Sequence, residues 1–154
     1  MPNSCSLCDR IRSSSDSMIL RKTSYALLYH MSAIDLPGYL VVAPTRHVEH
    51  AGELLDTELL DLGRLQSYAT REILKIPGVR KVYTLSFGEL LPHLHIHLFP
   101  RTDFMIEDRE ALTDGLPDGP RIFQRWRQRL SISSPSKPVE ELITRIKMAP
   151  FNYI

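Results

Sequence analysis

Between Glu53 and Lys75 apolar residues fall at Leu55, Leu59, Leu62, Leu65, Ala69 and Ile73, three or four apart. That period marks one long helix with a single apolar stripe. Pro77-Gly78 stops it. Such a helix is stable only where a sheet or other helices cover its stripe, and the flanking chain reads as strands. Met18 to Arg21 and Tyr25 to His30 are two strands about a turn at Lys22 to Ser24. Pro37-Gly38 and Pro44 bracket a third, Tyr39 to Ala43. Val79 to Phe87 is a fourth, and His93 to Phe99, ended by Pro100, a fifth. With one long helix among strands and few β-α-β units, the fold class expected is α+β with an antiparallel sheet. Beyond Arg101 the pattern weakens. Pro117, Gly119 and Pro120 mark a loop, Ile122 to Leu130 a helix, Ser133 to Pro138 a linker and Val139 to Met148 a second helix. Ser13-Ser14-Ser15 is a short polar loop.

A chain of 154 residues suits one domain. Lysine and arginine number 19 and aspartate and glutamate 18, a net charge of +1 that favours neither nucleic acid nor a membrane surface as partner. No apolar run is long enough to span a bilayer. The first residues, MPNSCSLCDR, lack the basic start and apolar stretch of a secretion signal, so a cytoplasmic location is expected. Arg121, Arg125, Arg127 and Arg129 cluster beside Trp126, a combination that can hold RNA or DNA. In a chain otherwise not basic they read as a solvated helix face with Trp126 buried.

His93-Leu94-His95-Ile96-His97 holds three of the six histidines. Alternation along a strand sends His93, His95 and His97 to one face and Leu94, Ile96 and Leu98 to the other. Buried imidazoles cost stability unless partnered, so the pattern points to function. Two chemistries fit it. Histidines two apart on a strand can share a zinc ion, and a neutral imidazole can attack phosphorus while its neighbour steadies phosphate oxygens. Spacing leaves both open. Cys5 and Cys8 form a Cys-x-x-Cys, which in a cytosolic chain suggests a metal or redox role.

The run His93-Leu94-His95-Ile96-His97-Leu98-Phe99 resembles the signature of the histidine triad (HIT) family, His-φ-His-φ-His-φ-φ with φ apolar. The likeness extends upstream through Pro37-Gly38-Tyr39 and Pro44-Thr45-Arg46-His47, over roughly residues 5 to 101, and is nearest in flavour to the bacterial diadenosine-tetraphosphate hydrolase-like branch. It implies a HIT domain over residues 1–101, with an antiparallel sheet of about five strands, one long helix and usually a homodimer. Residues 102–154 are then a helical extension packed on the same domain. It also implies a nucleotidyl hydrolase or transferase acting on a dinucleoside polyphosphate or nucleoside phosphoramidate. His95 would attack the α-phosphorus to form a nucleotidyl-histidine, and His97 would contact the phosphate or bridging oxygen. Backbone N–H groups near Gly88 and Leu91 would hold phosphate oxygens. Some bacterial members bind structural zinc, and carried over the ligands are Cys5, Cys8, His47 and His93, with His50 in reserve.

The chain departs from the family pattern in three respects. Gly88-Glu89-Leu90 replaces a Gly-Gln-Ser/Thr or Gly-Asn, so Glu89 either puts a carboxylate where phosphate is expected or faces solvent in a turn, the two readings being equal. Met31 and Ala33 stand where an acid usually takes the ribose hydroxyls, with Asp35 displaced. Residues 102–154 have no counterpart. These departures raise an alternative, a nucleotide-binding regulatory module with weak or no catalysis. A third reading makes the triad itself a catalytic metal centre. His30 is expected to be a satisfied structural histidine.

Overall fold

The computed structural model describes residues 5–13, 16–31, 34–130 and 134–151. Ala33 and most of the Ser13–Ser15 loop lie outside them. The described residues form α1 (Ser6–Arg12), β1 (Ile19–Lys22), β2 (Ala26–His30), β3 (Leu40–Pro44), α2 (Asp56–Leu74), β4 (Val79–Leu85), β5 (Ile96–Thr102), a small hairpin of β6 (Leu112–Thr113) and β7 (Leu116–Pro117), α3 (Gly119–Arg129) and α4 (Lys137–Met148). The main sheet has five antiparallel strands in the order β1-β2-β3-β5-β4. This is the α+β class read from the sequence.

The α2 stripe folds onto one face of the sheet. Leu62, Leu65, Ala69 and Ile73 pack with Leu28, Leu40, Val42 and Leu98, joined by Val139, Ile143 and Ile146 of α4. Glu58 caps the helix start by accepting from the Leu55 N–H at 2.9 Å. Gly78, at φ +81°, turns the chain into β4. Gly38 is needed more strictly. It has φ +86°, and a Cβ there would stand 2.6 Å from Ile76 Cδ1, so the turn before β3 lies directly on the end of α2.

The second sheet face is covered as well. Leu7 and Ile11 of α1 meet Leu27, Tyr29, Val41 and Ala43. Ile122 and Phe123 of α3, with Met105, meet Tyr39 and Phe99. Every residue of β2 and β3 is therefore buried, which explains their near-continuous apolar runs.

Several expected boundaries change. β5 begins at Ile96, so His93 to His95 precede the strand rather than forming its first half. It also runs through Pro100, which pairs with Val82. β3 reaches only to Leu98, so β5 has a single neighbour strand at Pro100, where a missing N–H is tolerated. α3 starts at Gly119 and α4 at Lys137, earlier than the prolines suggest. Pro120 and Pro138 occupy first-turn positions, where no N–H is needed. Asp118 caps α3 by accepting from the Arg121 N–H at 3.1 Å. The sequence reading lacks α1, the short 3-10 turns Asp103–Ile106 and Arg109–Ala111, and the β6–β7 hairpin. The Asp114-Gly115 turn of that hairpin has positive φ at both residues, the usual preference of such turns.

Candidate functional site

Pro44 ends β3, and the chain then crosses to α2 over Thr45 to His47. Arg46 holds this crossing: its guanidinium donates to both Glu58 carboxylate oxygens, at 2.8 and 2.7 Å, and to the Glu53 carbonyl at 2.7 Å. That pairing drives the Glu58 carboxyl down to about 2. His47 follows on the fixed segment, and its ring lies 4.9 Å from that of His93.

His93 is fully buried. Its Nε2–H donates to the Pro44 carbonyl at 3.0 Å, which leaves Nδ1 as the ring's free lone pair. Cys5 Sγ and Cys8 Sγ each lie 3.5 Å from that Nδ1, and His47 Nδ1 lies 3.4 Å from Cys8 Sγ. Helix α1 sets both thiols, because Cys5 is its N-cap and accepts from the Cys8 N–H. The four ligand atoms lie within 4.8 Å of one another. A tetrahedron with zinc's usual bond lengths to sulfur and imidazole nitrogen has S···N edges of about 3.5 Å, so the spacing suits the metal. The Pro44 carbonyl supplies the outer hydrogen bond that orients a metal-binding histidine. Burial lowers the His93 pKa, favouring the neutral ligand form, and raises that of the Cys8 thiol; a bound cation would offset the second effect. His50 is outside the cluster, its N–H given to Glu53.

His95 and His97 line a different space, a cavity of about 500 Å³. The three histidines thus do not share one face. His93 turns to the sulfurs because the chain before Ile96 is not yet in the sheet. His95 Nδ1 lies 2.6 Å from the His93 carbonyl. A carbonyl can only accept, so Nδ1 carries a hydrogen, and in the neutral ring Nε2 is the free lone pair. The Ser86 hydroxyl donates to the His95 carbonyl at 2.8 Å, holding that backbone. The His97 ring is 5.0 Å from that of His95, and its Nδ1 is 3.1 Å from the Tyr39 hydroxyl. Burial, then His95 and Arg127, press the His97 pKa down to about 4. Burial raises the Tyr39 phenol to about 12, so the phenol keeps its proton. With Tyr39 as donor, His97 carries its hydrogen on Nε2.

Met31, Gly88, Glu89 and Leu91 line the same cavity. Glu89 is exposed at its rim, and Gly88 has φ +74°. Asp35 serves elsewhere, its carboxylate accepting from the Ser136 N–H at 3.0 Å and its N–H donating to the Leu130 carbonyl at 2.8 Å. His30 is buried between the Met31 and Leu36 carbonyls, at 3.0 and 3.1 Å, as a structural residue.

Two residues of the cavity region were not read as such. Tyr39 looked like one more strand residue. Arg127 is exposed, as a solvated helix face implies, and it also lines the cavity. The clue lay in the spacing: Arg121, Arg125 and Arg129 recur every four residues along one side of α3, and Arg127 is off that row. Trp126 is half-buried and packs on Phe104. No described helix is long and apolar enough to cross a membrane.

The fold recurs in solved structures. A Hit-like protein involved in cell-cycle regulation from Bartonella henselae superposes with a TM-score of 0.64 at 15% identity, covering 94% of this chain and 95% of that one. A diadenosine triphosphate hydrolase from Plasmodium falciparum gives 0.56 at 16% identity, over 86% and 75%. A Zn-bound histidine triad family protein from Mycobacterium smegmatis gives 0.58 at 14% identity, over 94% and 91%. No family model and no curated protein matches the sequence. The architecture is HIT-like.

Proposed function

We propose that this chain is a histidine triad nucleotidyl hydrolase or transferase in which His95 is the nucleophile. The observation that carries the reading is the His95 Nδ1 contact to the His93 carbonyl. In the neutral ring it places the hydrogen on Nδ1 and turns the Nε2 lone pair to a cavity shared with His97, the form an imidazole needs to attack phosphorus. In the step envisaged, Nε2 forms a bond to the α-phosphorus of a nucleotide conjugate as the bond to the leaving group breaks. His97 donates from its Nε2–H to a phosphate or bridging oxygen. Gly88 and Leu91 offer backbone N–H groups to the phosphate, while Met31 and Glu89 border the nucleotide. Water or another acceptor then attacks phosphorus, and the P–N bond breaks to restore His95. The substrate class is a dinucleoside polyphosphate or a nucleoside phosphoramidate, as in the bacterial diadenosine-tetraphosphate hydrolase-like branch. The diadenosine triphosphate hydrolase of the same fold supports that range.

Cys5, Cys8, His47 and His93 are proposed to hold one structural zinc ion, which would clamp α1 to the chain just before His95. The S···N spacing and the Zn-bound protein of the same fold support this assignment. A homodimer belongs to the same reading. Residues 1–101 would form the catalytic domain and 102–154 an extension on it, as the packing of α3 and α4 supports.

The test is trapping with nucleotide labelled at the α-phosphate. Wild type is expected to acquire acid-labile label on His95, and His95→Asn to lose label and turnover while keeping its circular dichroism spectrum. Full activity in His95→Asn would remove the nucleophile assignment. Tight nucleotide binding by wild type without label or turnover would favour the regulatory module that Glu89 and Met31 suggest.

A further inference from the structure

A second cavity, of about 420 Å³, adjoins the histidine cavity and shares Phe87 and Arg127 with it. Its remaining walls include Leu85, Phe123, Gln124 and Gln128. Most of it is built by α3, outside the part of the chain that carries the histidine triad signature. Its volume falls within the usual range for small-molecule sites.

The chemistry of its walls is mixed in a specific way. Phe87 follows β4 and is 59% exposed, although its ring sits 5.8 Å from the buried Phe123. An exposed aromatic ring at a cavity edge is a surface on which a planar ring can stack. Gln124 and Gln128 are exposed on the same helix, each carrying donors and an acceptor that suit the edge of a nucleobase.

Arg127 stands at the junction. The other arginines of α3 are taken up by carboxylates: Arg125 by Asp108 and Glu110, Arg129 by Asp108 at 2.7 Å, and Arg121 by Asp118 at 3.5 Å. Among the described residues no carboxylate lies within 4 Å of the Arg127 guanidinium, which sits 5.9 Å over the Phe123 ring. A planar, permanently charged group between two cavities suits phosphate oxygens, which it can bind in pairs.

We propose that the α3 cavity is a subsite for the leaving nucleoside of a dinucleoside polyphosphate. The phosphate chain would cross Arg127, and the second base would rest on Phe87 beside Gln124 and Gln128. The proposal rests on the nucleotidyl-transfer reading of His95 and narrows its substrate class. A phosphoramidate with a small leaving group places nothing in this cavity.

The test compares kcat/KM for diadenosine triphosphate with kcat/KM for adenosine 5′-phosphoramidate. Both substrates present the same adenylyl group to His95, so their ratio isolates the leaving-group side. Arg127→Ala is expected to lower the ratio by about 10- to 100-fold, the scale of a lost charge-assisted phosphate contact. Gln124→Glu, which puts a carboxylate on the exposed wall, is expected to lower it several-fold. If wild type cleaves both substrates and neither variant moves the ratio by more than about twofold, the subsite is wrong and the His95 reading stands. The same holds if wild type cleaves only the phosphoramidate. If wild type cleaves neither and takes no label on His95, the underlying reading fails and the subsite falls with it.

Discussion

The Tyr39 hydroxyl stands 3.1 Å from His97 Nδ1, so the residue just before the third strand partners the ring of a histidine 58 residues later. The two are brought together because β3 and β5 pair antiparallel, with Leu40 opposite Leu98 and Val41 opposite His97. Tyr39 is itself fully buried and packs edge-on against Phe99. Its hydroxyl therefore has a fixed position.

Tyr39→Phe is expected to lower kcat by about 3- to 10-fold with a smaller change in KM, the cost of one hydrogen bond that orients a reacting group. The fold should persist, since the ring and its contacts stay. Steady-state kinetics alongside a melting curve check this. An unchanged kcat would mean that Tyr39 serves packing alone.

Removing the proposed zinc ion is expected to destabilise the protein. If Cys5, Cys8, His47 and His93 hold zinc, the purified protein should contain about one equivalent. Cys8→Ser or a strong chelator should release it and lower the midpoint of thermal unfolding by about 5–15 °C, because binding energy at such a site is folding energy. Elemental analysis and calorimetry read both. A metal-free protein with the same midpoint under reducing conditions would overturn the four-ligand assignment.

Acid should weaken the fold before most carboxylates titrate. Burial holds the folded His97 near 4, below its ordinary 6.5. Between those values the unfolded chain binds a proton that the folded one does not. Stability is thus fully present above about 6.5 and is lost as pH falls toward about 4. Between pH 7 and pH 5 this one group should cost about 2 kcal/mol. Buried His30 is shifted in the same direction. Urea unfolding at both pH values, in chelator so that metal release is not counted, measures the loss. His97→Gln should remove part of it, and an equal slope in that variant would rule out His97 as a source.

Gly38→Ala is expected to destabilise by roughly 2–3 kcal/mol, from positive φ and from contact with Ile76. Ile76→Val should recover only the steric share, since the backbone cost remains. Denaturation of the single and double variants separates the two. Full recovery would show that φ costs nothing there.

Much of this protein is set by local pattern. The α2 stripe from Leu55 to Ile73, the β-rich runs around it and the Cys and His spacing are local properties, governed by helix and strand periods and short-range turn chemistry. They suffice for the α+β class and for the two residues, His95 and His97, that share the cavity. What the alternation could not show is that His93 leaves the row. Its direction depends on where β5 starts pairing and on the Pro44 carbonyl, 49 residues away, that takes its Nε2–H. Nor could local pattern say that Tyr39 would meet His97, that α1 and α3 would close the second sheet face, or that one arginine of four would face the histidines. Those outcomes follow from strand register and packing between segments far apart in the chain, and only the folded arrangement decides them.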